Sequence, residues 1–243
     1  MTQFDNTHLS IEKVEDTLLV HRDYIAHCMR WSFVVRYLTM QQRWRDHALL
    51  DIGCGKDLPM YKAICTNKLS GVRYHGVDIN VLTLPEKFAN RKVKSTLYHG
   101  DFINIMPDEP IDTVTCFEML EHVPFEYSRE VLKHAYTISK PDATLIMSMP
   151  VLDPKVGMAK NHINELPREK TIEILNDAGW NVHENYGTFA SEKDYKPHMS
   201  EEDVSVLNRL RKYYDSQYLA TIFAPLYPEY SRNNLWVCKK GLI

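Results

Sequence analysis

The sequence predicts an α/β fold, a doubly wound, mostly parallel sheet of seven strands with a helical lid ahead of it and a helical insertion before the last strand. Three observations carry this expectation. Short apolar runs recur along the 243 residues, and several close on an acid or a glycine. Stretches with apolar residues three and four apart separate many of them, the spacing of helices that cover a sheet. The first run, Ala48-Leu49-Leu50, leads into Asp51-Ile52-Gly53-Cys54-Gly55-Lys56-Asp57. Two glycines one residue apart permit a tight turn and a close backbone approach to a ligand. In open α/β sheets such a turn is where small cofactors bind.

Charge at this turn narrows the ligand. A dinucleotide fingerprint would carry a third glycine where Leu58 stands. Asp51 at the strand tip and Asp57 just beyond it would repel a pyrophosphate. They favour a ligand with positive charge and no phosphate. S-adenosylmethionine, with its ammonium and sulfonium, is such a ligand.

Taken in order, residues 1–10 read as a loose polar arm. Over residues 11–42 the spacing of Val14, Leu18, Tyr24, Ile25, Cys28, Met29, Phe33, Val34, Tyr37 and Leu38 predicts helix. Tyr24, His27 and Arg30 fall one turn apart and share a face. The plainer reading, an ordinary packing helix with solvated arginines at Arg22, Arg30, Arg36 and Arg43, is preferred. Residues 60–68 form the first crossover helix and residues 72–78 the second strand. Asp78 at its tip stands one βαβ unit after the glycine turn, placed to accept from two ribose hydroxyls. An ionised carboxylate suits that role because it only accepts and has two oxygens. Residues 95–102 give a third strand with its exit loop, and residues 111–117 a β-branched, buried fourth. Ser128 is placed to cap a helix over 129–139, with Pro141 after its end. Residues 144–149 are the fifth strand. Pro167 and Gly179 bracket a helix, and Trp180 opens a sixth strand. Ser200, with Asp203 three residues on, starts a helix in which Val204, Leu207, Leu210, Tyr214 and Tyr218 form an apolar stripe. Residues 234–239 are the last strand.

Four segments stand in order: DIGCGKD (51–57), YHGVDIN (74–80), LYHGDFINI (97–105) and IDTVTCFEMLEHV (111–123). With them the chain resembles the class I S-adenosylmethionine-dependent methyltransferases over roughly residues 46–190. The Leu120-Glu121-His122 triplet resembles their small-molecule, ubiquinone-biosynthesis-like group. The resemblance implies a seven-stranded Rossmann-like core and a cofactor held by Asp51, Gly53, Gly55, Asp78 and Ile79. It implies that Asp101 and the backbone beside it read the adenine amino group, with Phe102 packed on the ring. Glu118 would open onto the cofactor, while Glu121 and His122 hold the local loop. Helices ahead of the first motif would fold over the site as a lid. The loop after the fifth strand would border the acceptor pocket, and it carries Asn161-His162-Ile163-Asn164-Glu165. His162 is the candidate catalytic base for a hydroxyl or phenol, histidine being the side chain suited to proton transfer near neutral pH, with Glu165 three residues on to orient it. The plainer alternative is a loop histidine that caps the next helix or bonds a carbonyl. No metal ligands crowd His162 in the sequence, so no metal is expected.

Composition sets outer limits. A formal charge of −3 gives no general reason to expect nucleic acid. Five scattered cysteines (Cys28, Cys54, Cys65, Cys116 and Cys238), none in C-x-x-C spacing, suggest a reducing compartment. The polar N-terminus lacks a signal-peptide pattern and no apolar run approaches a membrane span, so a cytoplasmic location without a membrane partner is expected. The chain is expected to divide into an N-terminal helical cap (1–45), a methyltransferase core (46–190), a helical insertion (191–231) and a last core strand (232–243). The insertion would cap the acceptor or form a dimer contact. The expected activity is methyl transfer to a small molecule, at oxygen. A nucleotide or nucleic-acid methyltransferase, a scaffold that keeps the fold without turnover, and an NAD-dependent enzyme are the alternatives. Cys116-Phe117-Glu118-Met119 stands where amino-group DNA methylation needs Asn/Asp-Pro-Pro-Tyr/Phe, and no Pro-Cys pair offers the nucleophile of cytosine-carbon methylation.

Overall fold

The computed structural model describes residues 22–40, 45–84, 86–89 and 92–241. The arm over 1–10 and the helix expected over 11–21 lie outside the described residues. Helix α1 runs Arg22–Met40. Then follow β1 (His47–Ile52), α2 (Pro59–Thr66), β2 (Val72–Asp78), α3 (Glu86–Ala89), β3 (Lys94–His99) and β4 (Ile111–Phe117). The second half holds α4 (Phe125–Ile138), β5 (Ser139–Pro150), α5 (Arg168–Asp177) and β6 (Trp180–Phe189), then α6 (Glu192–Tyr195), α7 (Glu201–Leu210), α8 (Ser216–Phe223) and β7 (Asn233–Lys240).

Seven strands form one sheet in the order β3-β2-β1-β4-β5-β7-β6. Strands β3, β2, β1, β4 and β5 pair in parallel. Strand β7 runs antiparallel between β5 and β6. The expected doubly wound, mostly parallel sheet is therefore what the chain builds. Strand order reverses between β1 and β4, and the crevice at the carboxyl ends of those strands is the general ligand position of such sheets.

Both sheet faces are covered, which explains why β1 is apolar on both sides. Leu50 and Ile52 face a core with Val114, Leu145 and Met147, closed by Val131, Leu132 and Ala135 of α4 and Ile174 and Leu175 of α5. Leu49 faces the other core with Tyr74, Ile146 and Val237, closed by Val34 and Leu38 of α1 and Tyr61 and Ile64 of α2. A third, smaller core under the insertion gathers Ala190, Tyr195, Leu207, Leu219 and Phe223.

Three local expectations need correction. Ser128 does not cap a helix: α4 starts at Phe125 after Pro124, and Ser128 is buried with its Oγ 3.3 Å from the carbonyls of Leu120 and Pro124. The stripe expected from Val204 to Tyr218 is broken. Helix α7 ends at Leu210 and Asp215 caps a separate α8, its carboxylate accepting from the Gln217 N–H, so Tyr214 projects into solvent. At Ser200 the cap forms as expected, accepting from the Asp203 N–H at 3.1 Å. The Asp203 carboxylate, which the Ser-x-x-Asp spacing places to accept in return from the Ser200 N–H as in a capping box, turns instead to the Tyr227 hydroxyl at 2.5 Å.

Candidate active site

The tip of β1 is shaped by backbone geometry. Gly53 and Gly55 both take positive φ, +68° and +66°. A Cβ on Gly53 would also meet Met119 Cγ at 2.8 Å, so glycine is required there twice over. The N–H groups of Gly53 and Cys54 donate to the Val77 carbonyl at 2.9 and 3.1 Å, tying the turn to β2. Leu58, at the place of the missing third glycine, adopts the left-handed region itself, with φ +49°. Its side chain is fully buried, and that burial offsets a strain of about 1–2 kcal/mol. Pro59 then opens α2.

Asp78 stands at the mouth of this turn. Its Oδ2 accepts from the Gly55 N–H at 2.9 Å, and its Oδ1 accepts from the backbone and side-chain N–H groups of Asn80, both at 2.8 Å. The carboxylate is half-buried and pinned by three donors. Oδ2, with one donor, keeps lone-pair capacity for another, while both sites of Oδ1 are taken by Asn80 and open to a ligand only where the Asn80 side chain turns away. Ile79 beside it is 75 % exposed and forms an apolar rim.

Asp51 sits differently from the open carboxylate expected at the mouth. It is buried, with Oδ1 accepting from Thr115 Oγ1 at 2.7 Å and Oδ2 from the Tyr74 hydroxyl at 2.8 Å. Burial pushes its carboxyl up to about 6, against the pull of those two hydroxyls. Asp51 therefore shapes the turn from beneath rather than offering a free oxygen.

The two residues at the exit of β3 also separate. Asp101 is half-buried, and its Oδ1 accepts from the Ile103 N–H at 3.2 Å and from the Tyr127 hydroxyl. Phe102 does not lie open to a ring. It is 4 % exposed, packed in the main core and edge-on to His134 at 4.9 Å. As the first residue of a 3₁₀ turn, Phe102 can offer only its backbone N–H there.

At the tip of β4, Glu118 takes φ +52°, an uncommon conformation for a non-glycine residue. Its N–H donates to the Ser148 carbonyl at 3.0 Å. Ser148 Oγ donates to Oε1 at 2.6 Å and Asn233 Nδ2 to Oε2 at 2.7 Å. The Arg30 guanidinium lies 3.5 Å away. Burial alone would raise the carboxyl of Glu118, but Arg30 and these donors outweigh it and hold it below the ordinary carboxylate range. Arg30 is 2 % exposed, which overturns its reading as a solvated arginine. Its Nη2 lies 2.6 Å from His27 Nδ1 and its Nη1 3.4 Å from Thr188 Oγ1. Thr188 in turn donates to Asn233 Oδ1 at 2.6 Å.

These residues floor a cavity of about 380 Å³ bounded by α1, the tips of β4 and β5, the loop after β5 and the start of β7. That volume suits a small ligand. His27, Arg30, Glu118, His162, Glu165, Phe189 and Arg232 are among the residues that line it. The loop reaches it because Ile163 and Asn164 donate their N–H groups to the Glu121 carbonyl at 2.9 and 3.2 Å. Asn164 Nδ2 adds bonds to the Leu120 carbonyl at 3.1 Å and to Ser128 Oγ at 2.8 Å.

His162 is thereby held in the wall, its Nδ1 2.5 Å from Glu165 Oε1. Glu165 Oε1 also accepts from the Ala159 N–H at 2.9 Å, so the carboxylate that orients the ring is itself fixed. The His162 ring meets that of His122 edge-on at 4.9 Å. One ligand atom each from Glu121, His122 and His162 lies within 4.8 Å of the other two. The expectation that no metal-capable groups gather at His162 is thus corrected, because the other two come from the tip of β4, 40 residues earlier in the chain. Arg30 and His27, read in the sequence as packing-helix residues sharing a face, and Asn233, not singled out there, belong to the site. For the first two the signal was their three-residue spacing on a helix; for Asn233 there was none.

The sequence matches the family described as a methyltransferase domain over residues 32–223. The chain belongs to that methyltransferase family. No curated protein sequence matches it. Among solved structures it resembles the magnesium protoporphyrin IX methyltransferase of Synechocystis, at 14 % identity and a TM-score of 0.56, covering 89 % of this chain and 84 % of that one. It also resembles the [4+2]-cyclase SpnF, at 16 % identity and a TM-score of 0.55, covering 82 % and 76 %. A third is the 1,6-didemethyltoxoflavin-N1-methyltransferase of Burkholderia thailandensis, at 13 % identity and a TM-score of 0.51, covering 92 % of each chain. These likenesses establish the fold. A cyclase among them illustrates that the fold alone does not fix the reaction. Among the described residues, no helix of this methyltransferase is long and apolar enough to cross a membrane.

Proposed function

We propose that this methyltransferase moves a methyl group from S-adenosylmethionine to an oxygen of a small-molecule acceptor. One observation carries the reading: the glycine turn abuts Met119, and the adjacent Glu118 forms part of the wall of a cavity of about 380 Å³. A berth for a nucleoside and a pocket for a small molecule thus share one wall. Gly53 and Gly55 admit the cofactor close to the backbone, Asp78 accepts from its ribose hydroxyls, and Asp101 with the Phe102 N–H faces its base. S-adenosylmethionine supplies, when bound, an electrophilic methyl group on a sulfonium.

The residues of this chain then have three tasks. Glu118, ionised by Arg30, presents negative charge toward the sulfonium side of the berth. The walls from α1 and the β5 loop exclude water and align the acceptor. His162 would take the acceptor's proton on Nε2 as the acceptor oxygen receives the methyl group. Glu165 holds the opposite nitrogen, so the imidazolium that forms is stabilised.

Incubating the protein with S-adenosylmethionine and separate panels of hydroxylated aromatics, amines and oligonucleotides, with methylated products read by mass spectrometry, tests this. Methylation at oxygen in the first panel is expected. His162→Ala is expected to lower that turnover by about 100-fold or more while leaving cofactor binding unchanged. Products in the amine or oligonucleotide panel alone would overturn the acceptor assignment.

A further inference from the structure

We propose that Glu121, His122 and His162 form a divalent metal site at the edge of the acceptor cavity, taking a first-row transition ion such as Zn²⁺ or Mn²⁺ through two imidazoles and one carboxylate. Three observations converge on it. The three side chains, drawn from the tip of β4 and the loop after β5, each place a ligand atom within 4.8 Å of the others. Metal–ligand bonds to such groups are about 2.0–2.2 Å, so ligand atoms sharing one ion lie about 3–4 Å apart and roughly 1 Å of side-chain movement closes the set. The exposed His122 ring can supply that movement.

The second observation is an unsatisfied acid. Glu121 is 1 % exposed, and its Oε2 has no hydrogen-bond partner among the described residues. A buried carboxylate with an oxygen left without a donor is costly. Its Oε1 lies 3.9 Å from His122 Nε2, and a cation between them would supply the positive charge that the acid lacks.

The third is the orientation of the two imidazoles. His162 Nδ1 lies 2.5 Å from Glu165 Oε1, and His122 Nδ1 lies 3.2 Å from the Asn161 carbonyl. Both partners only accept, so both rings turn an N–H on Nδ1 toward them, and in the neutral tautomer this leaves Nε2 as the nitrogen that can ligate. A carboxylate or carbonyl behind each ring is the outer-shell arrangement that fixes ligating histidines.

A bound ion and a proton on His162 Nε2 exclude one another. With the site filled, His162 is a ligand, and the positive charge of the ion lowers the pKa of an acceptor oxygen that coordinates it. The acceptor's proton then passes to water before the methyl group moves. This last extension alone rests on the methyl-transfer reading; the metal site does not.

The test is a titration of the full-length, chelator-treated protein with Co²⁺, read by the visible absorption of the bound ion, without S-adenosylmethionine or acceptor. One Co²⁺ per chain is expected, displaced by Zn²⁺. Glu121→Gln and His122→Ala are each expected to weaken it at least tenfold, and Glu165→Gln by a similar or smaller factor. The melting-temperature rise caused by S-adenosylhomocysteine checks each variant's fold. If Glu121→Gln fails that check, the exposed His122→Ala decides. Absence of stoichiometric Co²⁺ absorption, or an unchanged titration in a folded His122→Ala, would overturn the proposal. A failure of S-adenosylhomocysteine to raise the wild-type melting temperature would count against the methyl-transfer reading instead.

Discussion

The proposed nucleoside berth at the glycine turn and the proposed acceptor cavity beside it are built by different means. The berth is short-range and made largely of backbone: Gly55 donates to Asp78 across 23 residues, and the turn closes on the Val77 carbonyl. The cavity is long-range and made of side chains. Asn233 reaches Glu118 across 115 residues and Arg30 reaches Thr188 across 158. A berth of the first kind is fixed by residue types that few others can replace. A cavity of the second kind depends on a few buried charged contacts, and these are where it should break.

The largest effect is expected where the cavity holds a buried charge. Glu118→Gln removes the negative charge that faces Arg30, which is 2 % exposed. A loss of about 3 kcal/mol is expected in urea unfolding. An unchanged midpoint would show that the cavity does not depend on this pair.

A somewhat smaller and pH-dependent effect is expected under the berth. Burial pushes the Asp51 carboxyl up to about 6, from about 4 in an unfolded chain. The folded state then keeps a proton that the unfolded chain has released. Stability therefore falls as pH rises from about 4 to about 6 and is level above that, by about 2–3 kcal/mol in all. Asp51→Asn is neutral at every pH. Its melting temperature relative to the native protein is expected to climb between those two pH values and then hold. A pH-independent difference would contradict the burial account.

The smallest effect is expected far from both regions. Ser200→Ala removes the α7 cap and is expected to lower stability by about 1 kcal/mol, with ligand binding at the berth unchanged. A change in cofactor affinity would mean that the insertion and the berth are coupled.

The same division explains what the sequence discloses. Gly53, Gly55 and Asp78 are legible because a positive φ, a close approach and a strand-tip acceptor each demand a particular residue type at a particular spacing. The alternation of Leu49 and Leu50 between two cores is legible for a similar reason, since a strand covered on both faces is apolar throughout. Arg30 is not legible: an arginine between apolar helix positions looks the same whether it points to water or to Glu118. Nor is the meeting of His162 with Glu121 and His122, which depends on Ile163 and Asn164 bonding the Glu121 carbonyl. Phe102 misled because the residue after a strand-tip acid can present either its ring or its backbone, and here the ring is in the core.

The central claim is that the β1–β2 crevice holds a cationic nucleoside through Asp78. Calorimetric titration of S-adenosylmethionine into the native protein and into Asp78→Asn tests it most directly. One molecule per chain is expected for the native protein, with affinity falling by about tenfold to 100-fold in the variant, as for the loss of hydrogen bonds to a charged acceptor. Equal affinity in the two proteins, or binding of NAD in place of S-adenosylmethionine, would contradict it.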